Sequence, residues 1–271
     1  CAEVMLQQTP VSRVEPRFGD WRGRYPTPVS LACAPLREVL EWWSGMGYPR
    51  RAANLHRAAQ QIVGEHGGRV PDDLLALLAL AGVGRYTARA VLSFAFNRRV
   101  GVLDTNVGRV LARVAGETLA HSRAQELADL LVPEIAPGLW NQRMLDLGAT
   151  VCRARPLCGE CPAAPVCRWN LAGRPEPDPS RRSAGVSRPQ PAYLGSDREL
   201  RGLLLRAFAA AEGPLSGSEL SESVARSRRG WTPERVAACL RSLVDDGLVS
   251  TDGEGGFVLG EGLSTSAARS D

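Results

Sequence analysis

The stretch CRARPLCGECPAAPVC places Cys152, Cys158, Cys161 and Cys167 in the spacing C-x5-C-x2-C-x5-C, in a chain with 7 cysteines in all. Thiols gathered this closely either pair as disulfides or bind a metal centre as thiolates. Four-cysteine zinc sites usually join two close couples across a longer separation. Four thiolates in one continuous loop also suit a cuboidal iron–sulfur cluster, and the spacing leaves both centres open. Cys1, Cys33 and Cys239 are scattered and have no obvious partners. A secreted disulfide framework is therefore disfavoured, and a reducing cytoplasm fits better.

A second constellation lies upstream. From Gly82 to Arg113 there are six arginines (Arg85, Arg89, Arg98, Arg99, Arg109 and Arg113) and a single acid, Asp104. Gly82-Val83-Gly84-Arg85 separates two segments with helical apolar spacing. Glycines there let the backbone turn tightly with its amides exposed, and exposed amides at a helix start can hold a phosphate. A ligand-free connection between helices would read the same way, but the arginines around it point to a nucleic-acid backbone. Asp104 stands just before NVGRVLARV, where an N-cap is its plain role. An isolated carboxylate in a basic stretch can also stabilise a cation that develops during a reaction.

The elements that must carry these residues are helical. PLREVLEWW, AANLHRAAQQIVGEHGG, DDLLALLAL, YTARAVLSFAF and NVGRVLARVAG all repeat apolar residues every three or four positions, punctuated by Gly, Pro and Asp. The length of 271 residues favours more than one domain. Residues 1–170 read as one helical body, the Pro- and Arg-rich 171–196 as a linker, and 197–260 as three helices and a hairpin, the outline of a winged helix. Residues 261–271 read as a disordered tail. Thr232 and Pro233 are set as N-cap and first helical residue of one C-terminal helix. No apolar run is long enough to span a bilayer, and no signal peptide stands out. All 33 basic residues are arginine, with a net charge of +4, so lysine chemistry is excluded. The first residue is not methionine, and a preceding segment is expected to be missing.

LAGVGRYTARAV, then LDTNVGRVLAR, then a four-cysteine loop together resemble the helix–hairpin–helix DNA glycosylase superfamily. AEVMLQQTPVSRV, WWSGMGYPRRAANLHRAAQQIV and RMLDLGATVC resemble, more narrowly, its adenine glycosylases of the MutY type. The resemblance covers residues 2–170. It implies an all-α glycosylase core that carries a 4Fe-4S cluster on Cys152, Cys158, Cys161 and Cys167. The implied activity is monofunctional: adenine opposite 8-oxoguanine or guanine is flipped out of duplex DNA and its N-glycosidic bond hydrolysed. Glu3 would protonate the leaving base and Asp104 stabilise or attack the sugar, the two-carboxylate logic of glycoside hydrolysis. Tyr86 and Asn106 would support that pair. Gln8 and Tyr48 would enter the base stack, and Gly82, Val83, Gly84 and Arg85 would meet the DNA backbone, with Arg153, Arg155 and Arg168 as further phosphate contacts.

The expected setting is a monomer on DNA in a bacterial cytoplasm, nucleoid-associated and without a membrane partner. Against the family pattern, Pro49 replaces a second aromatic, Ala81 a proline, and the first cysteine gap is five residues rather than six. The family has a helix before the Glu3 motif, which this sequence enters two residues upstream, and no counterpart of the lesion-reading domain is expected. An endonuclease III-like lyase would need a lysine where Tyr86 stands, whereas a thymine mismatch glycosylase tolerates tyrosine. A non-catalytic DNA-binding redox regulator is the reading from another class. The C-terminal module, with Arg226, Arg228 and Arg229, is expected to add charge contacts without reading the lesion.

Overall fold

Helical periodicity becomes helix throughout the computed structural model, which describes residues 1–183, 192–225 and 230–260. Arg226, Arg228, Arg229, the tail 261–271 and residues 184–191 of the expected linker lie outside the described residues. In chain order the helices are α1 (Ala2–Leu6), α2 (Val11–Arg24), α3 (Pro28–Ala32), α4 (Leu36–Trp43), α5 (Arg50–His66), α6 (Leu74–Ala79), α7 (Arg85–Phe94), α8 (Thr105–Ala115), α9 (His121–Leu131), α10 (Pro137–Thr150), α11 (Arg168–Leu171), α12 (Asp197–Ala210), α13 (Gly217–Ala225) and α14 (Pro233–Asp245). β1 (Val249–Thr251) and β2 (Phe257–Leu259) pair antiparallel, Ser250 opposite Val258, and Leu215 bridges to Phe257. Among the described residues no helix is long and apolar enough to cross a membrane.

The chain divides into two units. The first comprises residues 1–71, 80–82 and 190–271, and so holds α1–α5, α12–α14 and the hairpin. Its core joins both ends of the sequence: Met5, Trp21 and Trp43 share one apolar cluster with Leu200, Leu204, Phe208, Leu220 and Leu243. Trp21 packs edge-on against Trp43 and Tyr25, with ring centroids 5.8 and 4.7 Å apart, a geometry aromatic quadrupoles favour. Thr232 caps α14 and Pro233 opens it. Ser216 and Glu219 exchange hydrogen bonds as a capping box at the start of α13.

The second unit comprises residues 72–79 and 83–189. α8 is its axis, packed against α9, α10 and α11 and against a short 3-10 turn at Pro179–Arg182. Leu103, Val107, Leu111, Ala112, Leu119 and Ala124 form its core. That 3-10 turn lies within the stretch read as a linker. Asp178 caps it by accepting from the Ser180 amide at 2.9 Å, and Pro179, Ser180 and Ser183 are buried.

The fold gives partners to five of the six arginines in the basic stretch. Arg89 pairs with Asp129 at 2.6 Å, Arg98 with Asp72, Arg99 with Glu134 at 3.3 Å, and Arg113 with Asp178 at 2.6 Å. Arg109 is spent on carbonyls and an amide oxygen inside the unit. Acids distant in sequence are brought up to neutralise what looks, along the chain, like an open positive face. Arg98 and Arg99 stay exposed within their ion pairs, and Arg85 is exposed at the start of α7.

Candidate active site and cysteine loop

Asp104 ends an extended stretch at the N-terminus of α8. Its Oδ1 accepts from the Val107 amide at 2.7 Å, the N-cap bond expected of it. Its Oδ2 accepts from Asn106 Nδ2 at 3.0 Å. Burial holds the Asp104 carboxyl above its usual range, against the opposing pull of these hydrogen bonds and of the Arg109 guanidinium.

The Asp104–Asn106 pair has a second layer that the sequence reading did not single out. Arg109 donates to Asn106 Oδ1 at 2.8 Å, to the Gly148 carbonyl at 2.6 Å and, through Nε, to the Cys152 carbonyl at 2.6 Å. Gly148 has to be glycine for space: a Cβ there would stand 2.6 Å from Asn106 Cβ and 2.7 Å from its carbonyl oxygen. α10 therefore seats directly on the turn that carries Asn106.

The hairpin joins α6 to α7. Gly82 has φ +72°, the left-handed region that favours glycine, and a Cβ on it would lie 2.6 Å from Asn54 Cβ. Gln61 anchors the turn by accepting from the Ala81 amide at 2.7 Å. Gly84 is the N-cap of α7 and brings no side chain to the first-turn amides. Arg85 and Tyr86 are the first two residues of that helix; Arg85 is exposed and Tyr86 half-buried.

Glu3, Gln8 and Tyr48 belong to the first unit, as Gly82 does; Val83, Gly84, Arg85, Tyr86, Asp104 and Asn106 belong to the second. Glu3 is half-buried in the first turn of α1. Gln8 and Tyr48 both take left-handed backbone, φ +53° and +49°, which costs a side-chain-bearing residue free energy. A buried cation holds both in place. Arg51 donates to the carbonyls of Val4, Met5 and Gln7 at 2.8, 2.9 and 2.6 Å, sealing the C-terminal end of α1. It also donates to Thr9 Oγ1 at 2.8 Å and to the carbonyls of Met46 and Gly47 at 3.1 and 2.9 Å. The short helix of Glu3 and the turn of Tyr48 are thus tied to one guanidinium. The signal was in the sequence: Arg51 shares a helical stripe with Leu55, Ala58 and Ile62, an apolar phase that a charge enters only with partners waiting.

Cys152, Cys158, Cys161 and Cys167 line a single small cavity, with Arg113 on its wall. Arg113 Nη1 stands 3.3 Å from Cys152 Sγ, and Cys167 Sγ donates to the Arg113 carbonyl at 3.2 Å. Burial pushes the Cys152 thiol up, while Arg113 pulls it toward thiolate. Among the described residues, no three Cys, His, Asp or Glu side chains are gathered into a group that could hold one metal ion. What unites the four thiols is the wall they share and the buried cation beside it, a set of soft donors able to bind as thiolates.

Residues 1–134 match the family described as HhH-GPD superfamily base excision DNA repair protein. The adenine DNA glycosylase of Mycobacterium tuberculosis (strain CDC 1551 / Oshkosh) is 44% identical over 275 residues, which cover 97% of this chain and 85% of that protein. The chain belongs to the adenine DNA glycosylase family of the HhH-GPD superfamily. A thermostable thymine-DNA glycosylase superposes with a TM-score of 0.60 at 29% identity, covering 63% of this chain and 82% of that one. Endonuclease III in a non-covalent DNA complex superposes with a TM-score of 0.55 at 28% identity, covering 64% and 82%. The glycosylase therefore shares its fold with both rivals considered from sequence, while the family comparison goes to the adenine enzymes. The all-α helix–hairpin–helix core expected from its motifs is the fold observed.

Proposed function

We propose that this glycosylase removes adenine mispaired with 8-oxoguanine or guanine from duplex DNA, leaving the sugar–phosphate strand intact. The observation that carries the reading is Asp104: a part-buried carboxylate fixed by a backbone amide and by Asn106, in a chain of the adenine glycosylase family. In the proposed reaction Glu3 gives its proton to the departing adenine as the bond from C1′ to the base breaks. Positive charge then spreads over the sugar, and ionised Asp104, backed by Asn106 and Arg109, stabilises it. The proton from Glu3 lets adenine leave neutral; a water oxygen then adds to C1′ and gives its proton to the Glu3 carboxylate, which restores the acid and leaves an abasic sugar. Tyr86 supports this pair, Gln8 and Tyr48 fill the stack around the extruded base, and the amides of Gly82–Arg85 meet the DNA backbone.

Cys152, Cys158, Cys161 and Cys167 would hold a 4Fe-4S cluster, which would staple the loop and present Arg153, Arg155 and Arg168 to phosphates. Protein made with iron available is expected to be yellow-brown and to contain iron and sulfide. Stoichiometric zinc without iron would refute the cluster assignment.

The function is tested by single-turnover assays on A:8-oxoguanine, A:G and T:G duplexes. Adenine is expected to be released from the first two, with strand scission only after alkali. Schiff-base cleavage normally uses a lysine amine, and the chain has none. Release of thymine alone would overturn the reading in favour of a thymine mismatch enzyme, and binding without base release in favour of a regulator.

A further inference from the structure

Tyr48 is held from three sides. Its backbone is left-handed after Gly47, itself at φ +73°. The Arg51 guanidinium lies over its ring, 5.5 Å from the centroid. Its hydroxyl is 2.9 Å from Nη1 of Arg198, which the C-terminal helix α12 delivers across 150 residues of sequence. α12 is itself braced: Arg235 of α14 donates to Asp197 Oδ1 at 2.7 Å and to the Gly195 carbonyl at 2.8 Å.

Tyr48 and Arg198 line a cavity of about 800 Å³, together with Gln8 and with Arg206 of α12. Arg13 also lines it. Asp246 is the acid on its wall, and that carboxylate is taken up by Arg201 and Arg50. Such a cavity offers an aromatic face for a planar ring and guanidinium groups for an anion, the two demands of a nucleotide in a displaced stack. Its size lies within the span of ordinary ligand sites.

We infer that Arg198 is a positioning residue for Tyr48 and that α12 completes a site for one nucleotide of the duplex, so that the C-terminal module takes part in telling mispaired from matched DNA. This rests on the function proposed above. It departs from the sequence expectation that the module adds charge without discrimination, because a phosphate contact made anywhere along DNA has no reason to end on a tyrosine hydroxyl.

The test uses the full chain, with Arg198→Ala, Tyr48→Phe and the double variant. Affinity is measured on A:8-oxoguanine, A:G and matched A:T duplexes, alongside single-turnover release. Losing a charge-assisted hydrogen bond predicts a drop on the order of tenfold in the ratio of mispaired to matched affinity for each single variant. The double variant should lose no more than either single one, because both remove the same interaction. An equal loss on every duplex, or additive losses in the double variant, would overturn the inference and leave Arg198 a general phosphate contact. Tyr48→Phe removes a single oxygen and keeps the test open if Arg198→Ala does not fold; unchanged discrimination in it would also overturn the inference. A wild-type protein that releases no adenine would instead overturn the proposed function, since the affinity ratio is read without turnover.

Discussion

A carboxylate that both starts a helix and stabilises a cationic sugar must be buried enough to be felt and hydrogen-bonded enough to stay ionised. Asp104 is half-buried, with a backbone amide on one oxygen and Asn106 on the other, which is what supports the proposed role. Burial nonetheless raises its pKa, so the folded protein binds this proton at a higher pH than the unfolded chain does. Ionised Asp104 therefore costs stability at neutral pH. That cost fades as pH falls through the raised value and is gone below the ordinary carboxylate range. Asparagine caps a helix as well as aspartate does. Asp104→Asn is accordingly expected to melt at or above the wild-type temperature at pH 7, with the difference closing on acidification. Single-turnover adenine release should fall on the order of a hundredfold or more, with duplex affinity retained. Thermal melts from pH 4 to 8 beside the kinetics decide it: a lower melting temperature at pH 7 with an unchanged rate would reduce Asp104 to a cap.

On α8 the residues Asn106, Arg109 and Arg113 recur at helical spacing and run from the acid at its N-terminus to the cysteine loop, with α10 pressed against them at Gly148. Gly148→Ala puts a methyl into the Asn106 backbone, which has nowhere to move while Asn106 holds Asp104. The expected result is destabilisation of roughly 1–3 kcal/mol together with slower base release, read by thermal denaturation and single-turnover kinetics; wild-type values in both would show that α8 and α10 separate freely. α8 itself was legible because the Asp104 cap and the apolar phase at Val107, Val110 and Leu111 are local signals. Gly148 was not, since its constraint arises only when a second helix crosses the first. The same holds for the arginines: Arg89, Arg98, Arg99 and Arg113 find acids on other segments, and no local pattern announces those pairings. Arg51 stood between the two cases, visible as a charge in an apolar stripe but with partners that only the fold supplies.

For the molecule as a whole, the division that the sequence suggests and the division of packing differ. Composition marks residues 197–260 as a separate module behind a Pro-rich stretch, whereas in the structure that segment groups with residues 1–71. The reason is apolar area. Leu200, Leu204, Phe208, Leu220, Val236 and Leu243 are all at most 1% exposed, in the same cluster as Trp21, Trp43 and Met5. A side chain of this size gains about 1.5–3 kcal/mol on burial, so removing the segment forfeits much of what the unit needs against a net stability of about 5–15 kcal/mol for a typical protein. Deleting residues 192–271 is therefore expected to leave α1, α5 and the Arg51 clamp without a formed core, even though none of those residues is removed. The truncated chain should aggregate or bind a hydrophobic dye, lose near-ultraviolet signal from the tryptophans of the first unit, and release no adenine. Near-ultraviolet circular dichroism and dye binding at equal concentration provide the check. A truncated protein with a wild-type tryptophan spectrum, weaker only in its binding to every duplex, would restore the view of the C-terminal segment as an appended module, and would place the Arg198 contact outside the glycosylase's working core.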